Sequence, residues 1–368
     1  MPLTLEQVQN LVNLTRKKSE HGRIIDLSSN LQDHVAYKQL LSRMKKKEAN
    51  GSYKYQFQVL LGGNGSFRAV GLDTPDSPVI VNNTTNGEVE LRMTNGNWAV
   101  DVRVVDANKG SEEQLYDYMT TQRLAGEIAQ VETMERWFWG LTASTDTVTP
   151  YGLPNLIVKN NTEGFNGTVP SGYTTCMNIN PSTYTRFKNW TAQYTNPTQA
   201  DLGAKLKKAF DMTGFKSPVQ GINKYNGDKI DRGIYTTWQG REYVKDLCMA
   251  QNEDLGMDID PIQGPVMRRI PFVWVPTICP TSDSVNGDTT HPYYGIDWNT
   301  VKISYLNGWW MYEKPGQVAA DDHNKVIHYT DTIYNLMIMN KRSNFVIATN
   351  TTGVYNNSST GYPANIDG

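Results

Sequence analysis

The chain has 368 residues, three Cys, five His and a formal net charge of -2, with 38% hydrophobic and 20% charged residues. That length admits about two to three domains, and that composition can bury a core, which excludes a disordered chain. The near-neutral balance excludes global polyelectrolyte attraction to nucleic acid or to an anionic membrane.

No run approaches the length of apolar sequence that a transmembrane helix needs. The first residues, MPLTLEQVQN, carry no basic-then-apolar signal segment. Cys176, Cys248 and Cys279 are odd in number and far apart, unlike a disulfide framework or a zinc site, so a reducing compartment is expected. Several N-x-S/T sequons occur, including Asn64, Asn83, Asn166 and Asn189. Without a signal segment they read as turn and strand composition and not as glycan sites.

Residues 1–50 form a distinct first region. Thr4 and Gln7 make a capping box for a short amphipathic helix bearing Leu5, Val8, Leu11 and Val12. Basic clusters follow at Arg16, Lys17 and Lys18 and at Lys45, Lys46 and Lys47. Residues 1–50 hold nine Lys/Arg against five Asp/Glu, or +4, leaving 26 against 32, or -6, in the remainder. A terminal basic segment of this kind can contact phosphates without fixed geometry.

Residues 53–105 predict a β excursion. YKYQFQVLL (53–61) alternates aromatic and polar side chains, GGNG (62–65) is a turn signal, and a second short strand is expected from Ser66. EVELRM (88–93) and WAVDVRVV (98–105) flank TNGN (94–97), whose Asn95-Gly96 pair predicts a hairpin turn.

A long helix is predicted next. Ser111 and Gln114 form its capping signal, and Glu112 and Glu113 sit where the helix dipole favours acids. Leu115, Tyr118, Met119, Ala125, Ile128, Val131, Met134 and Phe138 recur at helical spacing, and Gly140 supplies the stop. Such a helix would run about 40 Å at ~1.5 Å per residue, a structural spine.

The middle, about 150–280, is mixed. Helices are expected over 198–212 and 241–252, and strands over 234–238 and 267–276. The C-terminal part is β-rich, with a strand at 301–306 and two β-prone runs within 328–349 around the polar centre 340–344. The tail after Thr349 is rich in Asn, Ser, Thr and Gly and is expected to be exposed.

Signals for chemistry are weak. Asp322, His323 and His328 lack helical metal-ligand spacing and read better as a polar loop before a strand. GGNG lacks the Lys-Ser/Thr ending of a phosphate loop. Glu253, Asp254, Asp258 and Asp260 do not follow a calcium-loop order and read as a solvated helix end. Trp137, Trp139, Trp309 and Trp310 could form stacking platforms, but core or subunit contact is the commoner use. No nucleophile elbow is present, and no Cys has a credible His partner.

The order of these segments resembles the major capsid proteins of tailed double-stranded-DNA phages, with the Hong Kong 97-type capsid fold. Local strings carry the same resemblance: ERWFWG (135–140), YGLPNLIV (151–158), LKKAFDMTGFKSPV (206–219), AQNEDLG (250–256), RIPFVWVP (269–276), YGIDW (294–298) and NLMIMNKRSNFVIA (335–348).

The resemblance implies an α+β fold. Residues 1–50 would be the N-terminal arm, 51–106 an extended β-hairpin loop, and 107–150 a peripheral domain with the spine helix. Residues 151–295 would be mainly the axial domain, 296–350 the closing β segments of the peripheral domain, and 351–368 an exposed tail. The implied function is a non-enzymatic shell subunit that assembles through pentamers and hexamers into an icosahedral virion capsid. It implies no cofactor, metal or catalytic residue.

The implied partners are further copies of the chain and packaged double-stranded DNA bound non-specifically. Portal, scaffolding and decoration proteins also belong to that setting, and no membrane does. Arg16, Lys17, Lys18, Lys45, Lys46 and Lys47 would face inward, toward nucleic acid. Tyr53, Tyr55, Phe57 and Val59 would meet a neighbouring subunit, because a two-stranded ribbon is marginal alone. An encapsulin-like cellular nanocompartment is a second reading of the same fold. A carbohydrate-active enzyme or binding protein is a third, though a glycosidase needs two opposed carboxylates and no pair stands out.

Overall fold

The computed structural model describes residues 34–47, 52–60, 62, 67–72, 75, 82–107, 112–214, 231–251, 259–260, 264–278, 290–320 and 322–349. Helix α1 (Val35–Leu41) leads into strand β1 (Lys45–Lys47). A ribbon follows, β2 (Lys54–Leu60) antiparallel to β3 (Thr84–Glu90). Next come β4 (Arg92–Asp101), the short α2 (Val102–Ala107) and the long α3 (Glu112–Trp139). The middle holds α4 (Leu153–Leu156), β5 (Gly164–Gly167), β6 (Asn189–Gln193), α5 (Ala204–Thr213), β7 (Arg232–Thr236) and α6 (Trp238–Gln251). Four strands continue it: β8 (Ile259–Asp260), β9 (Gly264–Met267), β10 (Ile270–Trp274) and β11 (Tyr293–Asp297). The chain closes through β12 (Val301–Leu306), β13 (Tyr312–Glu313), β14 (Gln317–Val318), β15 (Lys325–Ile338) and β16 (Phe345–Ala348).

Two sheets organise these strands. One has six strands built on β15. Strand β4 zips along one edge of β15 through ten pairs, Lys325 with Asp101 to Tyr334 with Arg92. The other edge carries β12, β13 and β14 in turn, and β1 adds in parallel outside β12. The second sheet has eight strands in the order β5-β6-β16-β11-β7-β10-β9-β8. The closing segment is therefore divided: β12 to β15 build the first sheet, and β16 inserts between β6 and β11 of the second.

The main core joins both sheets to the spine helix. Met134, Phe138 and Trp139 of α3 meet Ile303 and Leu336 of the six-stranded sheet and Tyr294 and Val346 of the eight-stranded sheet in one buried cluster. Trp298 donates its indole N–H to the Tyr235 hydroxyl at 2.7 Å, so the aromatic centre is hydrogen-bonded as well as packed. A second cluster packs Leu206 and Phe210 of α5 over Trp190, Phe272 and Phe345. Burying each such side chain is worth about 1.5–3 kcal/mol, and this is what holds α5 on its sheet.

The spine helix has the predicted extent, though its predicted N-cap Ser111 lies outside the described residues, and its burial is uneven. The last two turns bury Met134, Glu135, Phe138 and Trp139, while Ile128 and Val131 are half-buried and Ala125 is exposed. Helical spacing alone thus overstates how much of this face the single chain covers.

Four local expectations are corrected. Asn95-Gly96 is no turn: β4 runs straight through it, pairing Asn95 with Asp331 and Gly96 with Thr330. The Asn95 amide also donates to the Asp331 carboxylate at 2.6 Å. Ten cross-strand pairs outweigh a local turn preference. The expected strand 98–105 ends at Asp101, whose carboxylate accepts the Arg103 N–H at 2.9 Å and starts α2 as a cap would. No strand follows Ser66 within the described residues 67–72; β3 is the partner of β2 instead. The run 267–276 is split into β9 and β10 by a tight turn at Arg268 and Arg269, both left-handed at φ 50° and 67°.

Candidate functional site

The β2–β3 ribbon alternates strictly in exposure along β2. One face carries Tyr55, Phe57 and Val59, half-buried and packed against the chain's own main core. Phe57 lies opposite Gly87, and a Cβ there would collide with the Phe57 ring. The glycine lets the ring lie flat across the strand pair. The other face carries charge. Lys54 bonds Glu88 at 2.6 Å and Gln56 donates to Glu88 at 3.0 Å. That pairing holds the Glu88 carboxyl below its ordinary value and Lys54 above its own. The ribbon base is tied to its own chain, with the Glu88 N–H donated to the Met177 carbonyl and the Leu91 N–H to that of Tyr53.

Of the four predicted contact residues, Tyr53 is thus 53% exposed at the base, and the other three already rest partly on their own subunit. The two most exposed large apolar side chains among the described residues lie elsewhere, past β2. Phe67 is 102% exposed and Leu72 105%, with Val70 between them at 60%. The string FRAVGL (67–72) has no period or turn signal, so pattern reading passed over it. Its signal is an apolar run inside a Gly, Asn and Pro-rich stretch.

Lys45, Lys46 and Lys47 form β1, opposite Ser304, Tyr305 and Leu306 of β12. A lysine-rich edge strand resists unwanted strand addition, so this placement serves the fold as well as any anion. Arg16, Lys17 and Lys18 lie outside the described residues.

The preceding α1 is capped from a distance. Its N-cap His34 makes no side-chain cap bond. The Glu135 carboxylate of α3, fully buried, accepts the Ala36 N–H at 3.0 Å, the Tyr37 N–H at 2.7 Å and the Trp139 indole N–H at 2.8 Å. Nothing in the local sequence announces this, because the partners lie about a hundred residues apart.

The hollows among the described residues include the following two. One is small, about 20 Å³, and lies beside Tyr151, Tyr173 and Cys176. Burial pushes the Tyr173 phenol up to about 12 and raises the Cys176 thiol, so neither is poised as a base or nucleophile at neutral pH. The other is a groove of about 220 Å³ between α3 and β4. Among the described residues no group of three or more His, Cys, Asp or Glu could hold a metal ion, and His328 instead stacks on Trp98 at 4.0 Å. No helix among the described residues is long and apolar enough to cross a membrane.

No family model matches the sequence, and no curated protein matches it. Solved structures do. The cyanophage A-1(L) capsid asymmetric unit aligns with TM-score 0.50 at 12% identity, covering 92% of this chain and 99% of that one. The capsid of the native GTA particle aligns with TM-score 0.51 at 11% identity, covering 90% and 97%. The holo-SrpI encapsulin complex from Synechococcus elongatus PCC 7942 aligns with TM-score 0.49 at 12% identity, covering 96% and 98%. The mixed α+β fold of this chain is the fold of the two capsid chains, over nine-tenths of its length.

Proposed function

We propose that this chain is the major capsid protein of a tailed double-stranded-DNA phage. It assembles through pentamers and hexamers into an icosahedral shell around the genome. The observation that carries the reading is the likeness of the whole fold to capsid chains, end to end on both sides of the comparison.

In this reading residues 1–50 are the arm, 51–106 the extended loop, 107–150 and 296–350 the peripheral domain, 151–295 the axial domain, and 351–368 the tail. The six-stranded sheet with α3 supports the peripheral unit, although β16 pairs into the other sheet. Tyr53, Tyr55, Phe57 and Val59 work at the subunit boundary through their remaining exposed surface. The arm lysines and Arg16 face inward toward DNA. Portal, scaffolding and decoration proteins complete the particle. Weak contacts repeated over many copies give a durable shell by avidity.

Light scattering on the purified full-length chain tests this reading. Mass that rises with concentration toward rings or shells is expected. A mass fixed at 41.5 kDa at every concentration, alone or with the products of flanking genes, would count against it.

A further inference from the structure

Two reactive side chains meet inside the body and take no part in the shell reading. Cys176 is a free thiol, 6% exposed, and Lys341 is 0% exposed. The Lys341 amine donates to the Thr168 carbonyl at 2.7 Å and lies 5.7 Å from the centre of the Phe187 ring. The Cys176 thiol lies within hydrogen-bonding reach of the same amine. Among the described residues Cys176 is the titratable group that acts on Lys341, and no carboxylate does. Burying a lysine without a carboxylate is costly, so packing alone gives this placement no reason.

We propose that Cys176 and Lys341 are the two ends of an oxidative crosslink, a covalent sulfur–nitrogen bond formed with hydrogen peroxide.

Both ends are held in place. Cys176 opens a two-residue turn closed by backbone bonds with Ile179 in both directions, at 2.9 and 3.0 Å. Its central residues, Met177 and Asn178, are left-handed at φ 51° and 63°. For methionine that conformation is strained, and strain of this kind gathers at functional positions. The Met177 sulfur accepts the Ile338 N–H at 3.3 Å, which ties the turn to β15. Lys341 sits in the loop between β15 and β16, where the Asn344 amide donates to the Asn340 carbonyl at 2.9 Å. A hollow of about 20 Å³ reaches Cys176, enough for a water-sized molecule at the sulfur.

The chemistry balances within the pair. Burial lowers the Lys341 amine below its ordinary value, so a neutral amine is at hand as base and nucleophile. It takes the thiol proton, and the thiolate sulfur displaces hydroxide from hydrogen peroxide. The hydroxide recovers that proton from the amine and leaves as water, with Cys176 now a sulfenic acid. The amine lone pair then attacks the sulfur. An S–N bond forms, the S–O bond breaks, and the oxygen leaves as a second water with one amine proton. Sulfur is oxidised by two electrons and one peroxide is reduced. The bond joins segments far apart in the chain without needing a second cysteine, and like a disulfide over a long loop it restrains the unfolded chain.

Peptide mapping of the unsubstituted full-length chain tests this. The folded chain and a urea-unfolded sample are treated with hydrogen peroxide, digested without reductant and weighed by mass spectrometry. A linked peptide holding Cys176 and Lys341 is expected from the folded chain only, two hydrogens lighter than the sum of its parts and released by dithiothreitol. The crosslinked chain is expected to melt roughly 5 °C or more above the reduced one. No core substitution is required, so the result does not depend on a variant folding. Cys176 recovered from the folded chain as a thiol, or as sulfinic or sulfonic acid beside an unmodified Lys341, would overturn the proposal. Equal linkage in urea would overturn it too, since the folded geometry would then play no part. Both ends lie in one chain, so this proposal and the shell reading can fail separately.

Discussion

Glu135 shows how one side chain ties distant segments together. Its carboxylate takes three N–H donors from α1 and from its own helix while wholly buried. Glu135→Ala removes a cap and orphans the Trp139 indole, so a loss of about 3 kcal/mol is expected. Urea unfolding at unchanged slope measures it, and a loss below about 1 kcal/mol would refute the assignment. Tyr235, Tyr293 and Tyr334 supply a pH signature. Burial raises all three phenols above their ordinary value. Above pH ~10 the unfolded chain releases these protons and the folded chain keeps them, so stability present below that pH is lost as pH rises. From pH 10 to 11 the expected loss is about 1 kcal/mol for each tyrosine, and a flat profile over that range would contradict it. These residues were legible as aromatic or acidic, but their roles were not. Lys341 is the plainest case: it sits in a polar loop by sequence, yet it is buried and donates to the Thr168 carbonyl at 2.7 Å.

Elements were legible where the signal is periodic and the partner is near. The spine helix shows this, running Glu112–Trp139 as the helical spacing requires. Elements were misread where a remote partner decides. Asn95-Gly96 carries a strong turn preference, and β15, more than 200 residues later, overrides it. The hairpin at Arg268 and Arg269 errs the other way, since no Gly or Asn marks that turn. Strand β1 invites a functional test at this scale. Replacing Lys45, Lys46 and Lys47 by Gln leaves the β12 pairing intact, because that pairing is made by backbone. If these lysines meet phosphates, the slope of log affinity for duplex DNA against log salt falls by up to about 0.9 per lysine. An unchanged slope would return β1 to a purely structural role at the sheet edge.

The whole molecule combines a well-filled two-sheet body with an apolar segment that projects from it fully exposed. A monomer gains nothing from Phe67 and Leu72 in water, and large exposed apolar groups mark sites of contact. The ribbon strand β2, the spine helix and the closing strands were legible in the sequence, but the division of the strands between two sheets was not. The parallel pairings of β1 with β12 and of β16 with β6 join segments that no local pattern connects. The same holds for exposed apolar surface: the alternation along β2 was legible, whereas the exposure of Phe67 and Leu72 emerges only once the body is folded. Electron microscopy of the purified chain, expressed alone and with its flanking genes, tests the central claim most directly. Closed icosahedral shells with fivefold and sixfold capsomers are expected. Fields of dispersed monomers under both conditions would contradict it.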